Sequence, residues 1–367
     1  MKHFHDWKGA TALAGFDPLN IAHPVSTKRG SGYVRDGFVT FDQATMDSAG
    51  AFLIGELERL DPMVHLPLAA VTWHRDLDLR TDVQIGDEQS SYSLTTFGQS
   101  GGATANGINW SSKEVTTISR TTLDIGKIVN NLPLVTYELS YTIPELKSAE
   151  QTGRPIDTQM LAGMNLKHQM DCDQVAYIGD STLLNPAGVA TGGLVNHSLV
   201  TNTANVAAGA SASMAWTTKT PDEILIDFNE MLLSVWAASG YSVPPTHVLV
   251  APGPFGYITT TPITVGGTGV AETIWSWVKK KNILTAQTGM ELEIVAVKWL
   301  DHTARGVTYD RMVAYVKKEE YVRFPVVPLQ SVQPQPRGIW ISVPYYGRIG
   351  AVEVVYPELV AYRDGIG

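Results

Sequence analysis

The chain has 367 residues, of which 44% are apolar and 17% charged, with a formal net charge of -9. That length supports a sizeable core and two or three domains, and the apolar share excludes a disordered chain. The acidic balance excludes tight, charge-driven nucleic-acid binding, which needs Lys and Arg clustered against phosphates; the basic run Lys279 to Lys281 reads as a solvated helix end.

Residues 1–45 scatter Phe4, Trp7, Phe16, Tyr33 and Phe38 among glycines, without helical or strand periodicity. Those rings need burial that the segment cannot supply, so it reads as an arm ordered by lying on something else. From Asp42 to Leu60 apolar residues take helical spacing, with a stop at Asp61-Pro62. Across Val71 to Val135 the pattern becomes strand-like. Leu77, Leu79, Val83 and Ile85 alternate with polar residues, as do Tyr92 and Leu94, and Ile118, Leu123, Ile125 and Ile128 stand in Thr-rich company. Between them Gly98 to Gly107 is a flexible tip. A two-stranded extension with so few apolar residues is marginal alone, so it must lean on its own body or on a neighbouring copy.

Thr142 is placed to N-cap a short helix with Pro144 near its start, and Gly153 with Pro155 breaks the chain before a helix of roughly six turns. In that helix Leu161, Met164, His168, Cys172 and Val175 recur at spacings of three and four, while Leu166, Met170 and Tyr177 fall opposite. A helix apolar on two sides needs neighbours on two sides, so it reads as a strut between layers. Thr220-Pro221-Asp222-Glu223 is a capping box for a helix defined by Ile224, Phe228, Met231, Leu232 and Val235 and stopped at Gly240. Short strands near 247–250, 292–297 and 311–316 and a helix near 271–280 make an α+β region. Gly338 to Tyr362 resumes strand character and is expected to return to the earlier sheet.

Cys172 is the only cysteine, which excludes an internal disulfide and a multi-cysteine zinc site and fits folding in a reducing cytoplasm. The N-terminus has no signal-peptide run and no stretch approaches the roughly 18 apolar residues of a membrane span, so no membrane partner is expected. Gly98-Gln99-Ser100-Gly101-Gly102 matches the nucleophile elbow of serine hydrolases, but that motif needs a helix directly after the serine, and more glycine follows here. Gly179-Asp180-Ser181 reads as a helix C-cap turn, and Gly266 to Gly269 lacks the Lys and Ser/Thr of a P-loop. The nine histidines show no ligand spacing, and His168 on its apolar stripe reads as a satisfied core residue. Asp76, Asp78, Asp82, Asp87 and Glu88 read as a solvated strand face. No cofactor, metal or catalytic residue is expected, and a chain with this much scaffold reads as built for contact.

The order of these segments resembles a known family. Ile143-Pro144-Glu145-Leu146, the strut helix ending in Asp171-Cys172-Asp173, Tyr177-Ile178-Gly179-Asp180, and Pro186-Ala187-Gly188 leading to Gly193-Leu194-Val195-Asn196 are similar to the major capsid proteins of tailed phages. Their HK97-like fold, named after the Hong Kong phage, is shared with encapsulins. Thr246 to Pro252, Asp310 to Tyr315 and Pro344 to Tyr362 look like later strands of that fold. The resemblance implies an α+β chain with an N-terminal arm at 1–45, a helix and the start of a peripheral P-domain at 46–75, and an extended loop at 76–113. The P-domain then fills 114–218 with its spine helix at about 157–178, an axial A-domain fills 219–336, and return strands to the P-domain fill 337–367.

The resemblance further implies self-association into hexamers and pentamers of an icosahedral shell, with portal and separate scaffold or decoration proteins as partners and DNA enclosed without sequence-specific binding. In such a shell the extended loop lies over a neighbour, with Tyr92, Leu94, Phe97, Ile108 and Trp110 as its contact residues. Some members cross-link a loop lysine to a neighbour's asparagine; no lysine lies between Asp76 and Ser112, so no such bond is expected. The short Gly-rich arm implies that any scaffold is a separate protein. An encapsulin-like compartment around a cargo protein is the alternative reading, which the lack of an amphipathic N-terminal helix disfavours, and a serine hydrolase using Ser100 or Ser181 is a lower one.

Overall fold

In the computed structural model the described residues are 67–99, 120–152, 156–190, 192–265 and 268–367. The expected arm, the helix expected over Asp42 to Leu60, the loop tip from Ser100 with Ile108 and Trp110, and the break at Gly153 to Pro155 lie outside them. Where helices start, their caps are those the sequence offers. Thr142 Oγ1 accepts from Glu145 N and Glu145 Oε2 accepts from Thr142 N, which opens the helix Ile143–Thr152. Thr220 and Glu223 make the same reciprocal pair at the head of Pro221–Ala238, whose buried face includes Ile224, Phe228, Met231, Leu232 and Val235. The strut helix spans Ile156–Tyr177, 22 residues.

Leu68–Gly367 forms one compact unit with two large sheets. In the six-stranded sheet, Trp340–Ile349 pairs antiparallel with both Leu134–Thr142 and Val322–Ser331, and Asp78–Arg80 runs parallel to the latter. In the five-stranded sheet, Arg311–Tyr315 lies between Val360–Asp364 and His247–Val250, with Thr203–Asn205 and Glu293–Ala296 at the edges. Alternate residues of Arg311–Tyr315 serve different cores. Val313 and Tyr315 pack with Cys172, Ala176 and Tyr177 of the strut and with Phe324 and Ile349 of the other sheet. Met312 and Ala314 pack with Phe228, Met231, Ile258 and Ile274 of the helices on the far side.

These pairings correct three expectations. The closing segment divides between the sheets: Trp340–Ile349 joins the six-stranded one, but Val360–Asp364 joins the five-stranded one. The region expected as 219–336 leaves its sheet after Tyr315, because Val322–Ser331 pairs in the other. The extended hairpin starts at Gln89 and returns to Asn131. Residues 77–88 hold only a three-residue strand and turns.

At the exit of the strut helix the last carbonyls find backbone donors from a later segment. Leu194 N donates to Ala176 O at 2.9 Å, Val195 N to Tyr177 O at 3.0 Å and Gly193 N to Ile178 O at 3.1 Å. This approach is so close that a Cβ on Gly193 would stand 2.3 Å from Tyr177 C and O, and one on Gly179, at φ +80, would stand 2.6 Å from Gly192 C. Gly193→Ala therefore costs at least about 3 kcal/mol in urea unfolding, because backbone cannot yield as a side chain can. Gly163→Ala, with nothing within 4 Å in the middle of the same helix, stabilises by about 0.5–1 kcal/mol.

Candidate assembly surface

The two-stranded hairpin is anchored at its base and bare beyond it. Its pairing is continuous from Gln89↔Asn131 to Gln99↔Thr121. At the base, the buried Glu353 carboxylate receives Arg80 Nη1 at 3.1 Å, Arg323 Nε at 2.7 Å and the Ser90 hydroxyl. Tyr92 donates its hydroxyl to Val354 O at 3.1 Å, and burial pushes its pKa up to about 12. Asn131 Nδ2 donates to Leu184 O at 2.7 Å, and Arg348 donates to Ile85 O and Leu132 O. A buried carboxylate is retained only with such partners.

Directly paired residues share a face of a hairpin. One face carries Thr95 with Ile125 and Phe97 with Leu123; the other carries Tyr92 with Ile128 and Leu94 with Gly126. Phe97, Leu123 and Ile125 are 72%, 54% and 60% exposed. Of the residues expected at a neighbour contact, Phe97 stands free to make one. Leu94 is half-buried, while Tyr92 is buried within its own chain, a correction whose reason is the pocket formed by Val354 and the hairpin base. Leu123 and Ile125 belong with Phe97, and the cross-strand register is the signal that identifies them.

Along the strut helix, Met164, His168 and Cys172 are buried and Leu161 and Val175 half-buried. The opposite set does not act as one face: Leu166 is half-buried, Met170 is 42% exposed, and Tyr177 is fully buried in the same core as Cys172. Neighbours close on both sides only over the last turns, where the segment 193–195 and residues 72–77 arrive. The expectation of a satisfied His168 also needs correction. Its Nε2 lies 3.7 Å from Cys172 Sγ, but Nδ1 is buried with no partner, and burial lowers its pKa.

Little else resembles a site of chemistry. Asp301, His302 and Asp310 lie close enough to hold a cation, yet they satisfy one another: Asp310 Oδ1 meets His302 Nδ1 and N at 2.7 Å, and Asp301 accepts from Thr303 N. Gly179 and the turn after it cap the strut helix, and Asp180 accepts from Thr182 N, which leaves Ser181 in a structural turn. Gly98 and Gln99 lie in a hairpin strand, and Ser100 is outside the described residues. No described helix is long and apolar enough to cross a membrane.

A family model described as major capsid protein matches residues 106–366. The chain belongs to the major capsid protein family. As a member it is a structural shell protein of the phage virion. The capsid of Myoviridae phage XM1 superposes with a TM-score of 0.68 at 14% identity, covering 87% of this chain and 100% of that one. The capsid of a native GTA particle superposes at 0.55 with 11% identity, covering 89% and 100%, and a Mycobacterium phage Bobi structure at 0.50 with 13%, covering 86% and 97%. At such identities these likenesses concern the HK97-like fold. Comparison with curated proteins found no match.

Between the hairpin base and residues 185–199 of this capsid subunit lies a cleft of about 460 Å3, lined among others by Tyr92, Asn130, Val189 and His197. Burial lowers the pKa of His197 from 6.5 to about 4. An imidazole harder to protonate when folded contributes fully above the unfolded value, and that contribution is lost as pH falls from 6.5 toward 4. Urea unfolding at pH 5 is expected to show roughly 2 kcal/mol less stability than at pH 7 from this group. His197→Gln flattens that loss.

Proposed function

We propose that this chain builds the wall of a phage head: hexamers and pentamers close into an icosahedral shell around double-stranded DNA that it does not read by sequence. The portal, scaffold and decoration proteins are separate partners, and the subunit carries no enzymatic activity. The observation that carries the reading is the hairpin, whose base is bonded into its own subunit while its outer half leaves Phe97, Leu123 and Ile125 exposed. An exposed apolar ribbon of this kind is an aggregation hazard unless a neighbour covers it. The net charge of -9 supports enclosure without tight binding, because an acidic wall repels DNA weakly and leaves it free to move.

Electron microscopy of the purified chain, co-expressed with its scaffold where needed, is expected to show closed shells or capsomer rings; a uniformly monomeric chain would sink the reading. Particle contents decide between genome-length DNA and a cargo protein. Phe97→Asp is expected to leave the thermal midpoint of the unassembled subunit unchanged and to abolish shells. Met170→Asp likewise folds, since its side chain is exposed, and loses assembly if that face meets a neighbour. Purified particles are expected to run as single subunits on denaturing gels, for want of a lysine between Asp76 and Ser112.

A further inference from the structure

We infer that Lys219 and Asp227 become joined within the folded subunit by an amide bond from Lys219 Nζ to Asp227 Cγ, formed with loss of one water. The two groups meet in the interior: their side chains are 1% and 2% exposed, and Nζ lies 2.6 Å from Oδ2. Trp216, fully buried, donates its Nε1 hydrogen to the same oxygen at 3.0 Å. The core around Trp216 is apolar. Its ring lies 5.1 Å from that of Phe228, and Val206, Ile224 and Ile366 belong to the same cluster. An ammonium has three protons to place, and among the described residues this one meets a single acceptor. A lysine held charged in such surroundings is costly, whereas a neutral amide with one N–H is far less so.

The reaction needs nothing that the pair does not hold. Burial keeps the Asp227 carboxyl above its ordinary pKa even though Lys219 and Trp216 pull the other way, which favours the neutral acid. A proton passing from Nζ to Oδ2 along the existing hydrogen bond turns the ion pair into a free amine and a neutral carboxyl, with no change in net charge. The nitrogen lone pair then attacks Cγ, and the developing negative charge rests on Oδ1. Oδ2 leaves as water, carrying that proton and a second one from the nitrogen. The Trp216 N–H faces the departing oxygen and supports it. Groups held in contact react as if at effective molarities of about 10⁵ M or more, which free amines and acids never reach in water. The link closes the chain from Lys219 to Asp227 across the capping box of Pro221–Ala238, so the first turns of that helix stay wound when the core around them loosens. It lies inside one subunit and leaves subunits separable.

Trypsin digestion and mass spectrometry of the purified full-length chain, folded and incubated at neutral pH and then denatured, test this. An acylated Lys219 is no longer a cleavage site, and no Lys or Arg lies at 168–218 or at 220–278. The wild type is expected to give one uncut peptide, 168–279, one water lighter than its sequence, with fragment ions that place the loss at the Lys219–Asp227 pair. Lys219→Arg keeps the charge but cannot form the amide, and is expected to give the two separate peptides at full mass. Asp227→Asn is expected to lose ammonia instead of water and to reach the linked mass of the wild type. Cleavage of the wild type after Lys219, with both peptides at full mass, overturns the inference. So does a lost water with that cleavage intact, which marks a succinimide and not a link. Where Lys219→Arg fails to fold, the wild-type peptides decide alone, because the bond is read in the denatured chain.

Discussion

The structure depends on what meets the last turns of the helix Ile156–Tyr177. Asp173, fully buried, accepts from Thr72 N at 2.8 Å, Trp73 N at 3.1 Å and Trp299 Nε1 at 2.7 Å, with Lys298 Nζ at 2.9 Å. One carboxylate thus caps the short helix Trp73–Asp76 and holds the segment that follows the strand Glu293–Ala296. One turn later the Tyr177 hydroxyl reaches Asp76 and Thr72, and Tyr315 donates to Asp76 O at 2.6 Å. The glycine crossing at 192–193 then closes the helix end from the other side. Two sheets and one helix share a core here, while the far face of the five-stranded sheet keeps a second core with the helices that cover it.

That rigid joint stands in contrast to the hairpin. Its base is tied down by charge-assisted hydrogen bonds to Glu353 and by Tyr92, all within one subunit. Beyond Leu94 the two arms pair with each other and leave Phe97, Leu123 and Ile125 exposed. A two-stranded ribbon with exposed Phe97, Leu123 and Ile125 gains order from packing that its own chain does not supply. The division suits a shell protein. Subunits must fold before they assemble, so the body carries its own stability, while the surface left unsatisfied sets association. Many modest contacts repeated over a shell sum to a stable container without any one being strong.

Much of the local structure was legible. The N-cap Thr142 and the Thr220–Glu223 capping box announced two helices, and spacings of three and four marked the buried faces of Pro221–Ala238 and of the strut. Burial was less legible where one residue type serves two purposes. Tyr92 alternates like a contact residue, yet the hydroxyl at its tip finds Val354 O at home. Tyr177 sits opposite the main stripe of its helix and is still buried, because helical periodicity says which residues share a side and nothing about how many sides are covered. Pairing register, which sequence alone does not specify, placed Leu123 and Ile125 beside Phe97.

The sequence by itself determined the α+β class, the capped starts of Ile143–Thr152 and Pro221–Ala238 and the two-stranded hairpin. All of these follow from propensity, capping chemistry and periodicity within a few turns of chain. Only the tertiary structure decided that Val360–Asp364 joins the five-stranded sheet, that Val322–Ser331 leaves it, and that Asn130 is buried beside an apolar cleft. Those outcomes rest on contacts between residues far apart in sequence, where a short apolar run fits either sheet equally well. Long-range packing chooses between them, and it also brings Gly179, Gly192 and Gly193 so close to neighbouring backbone that a Cβ there would clash.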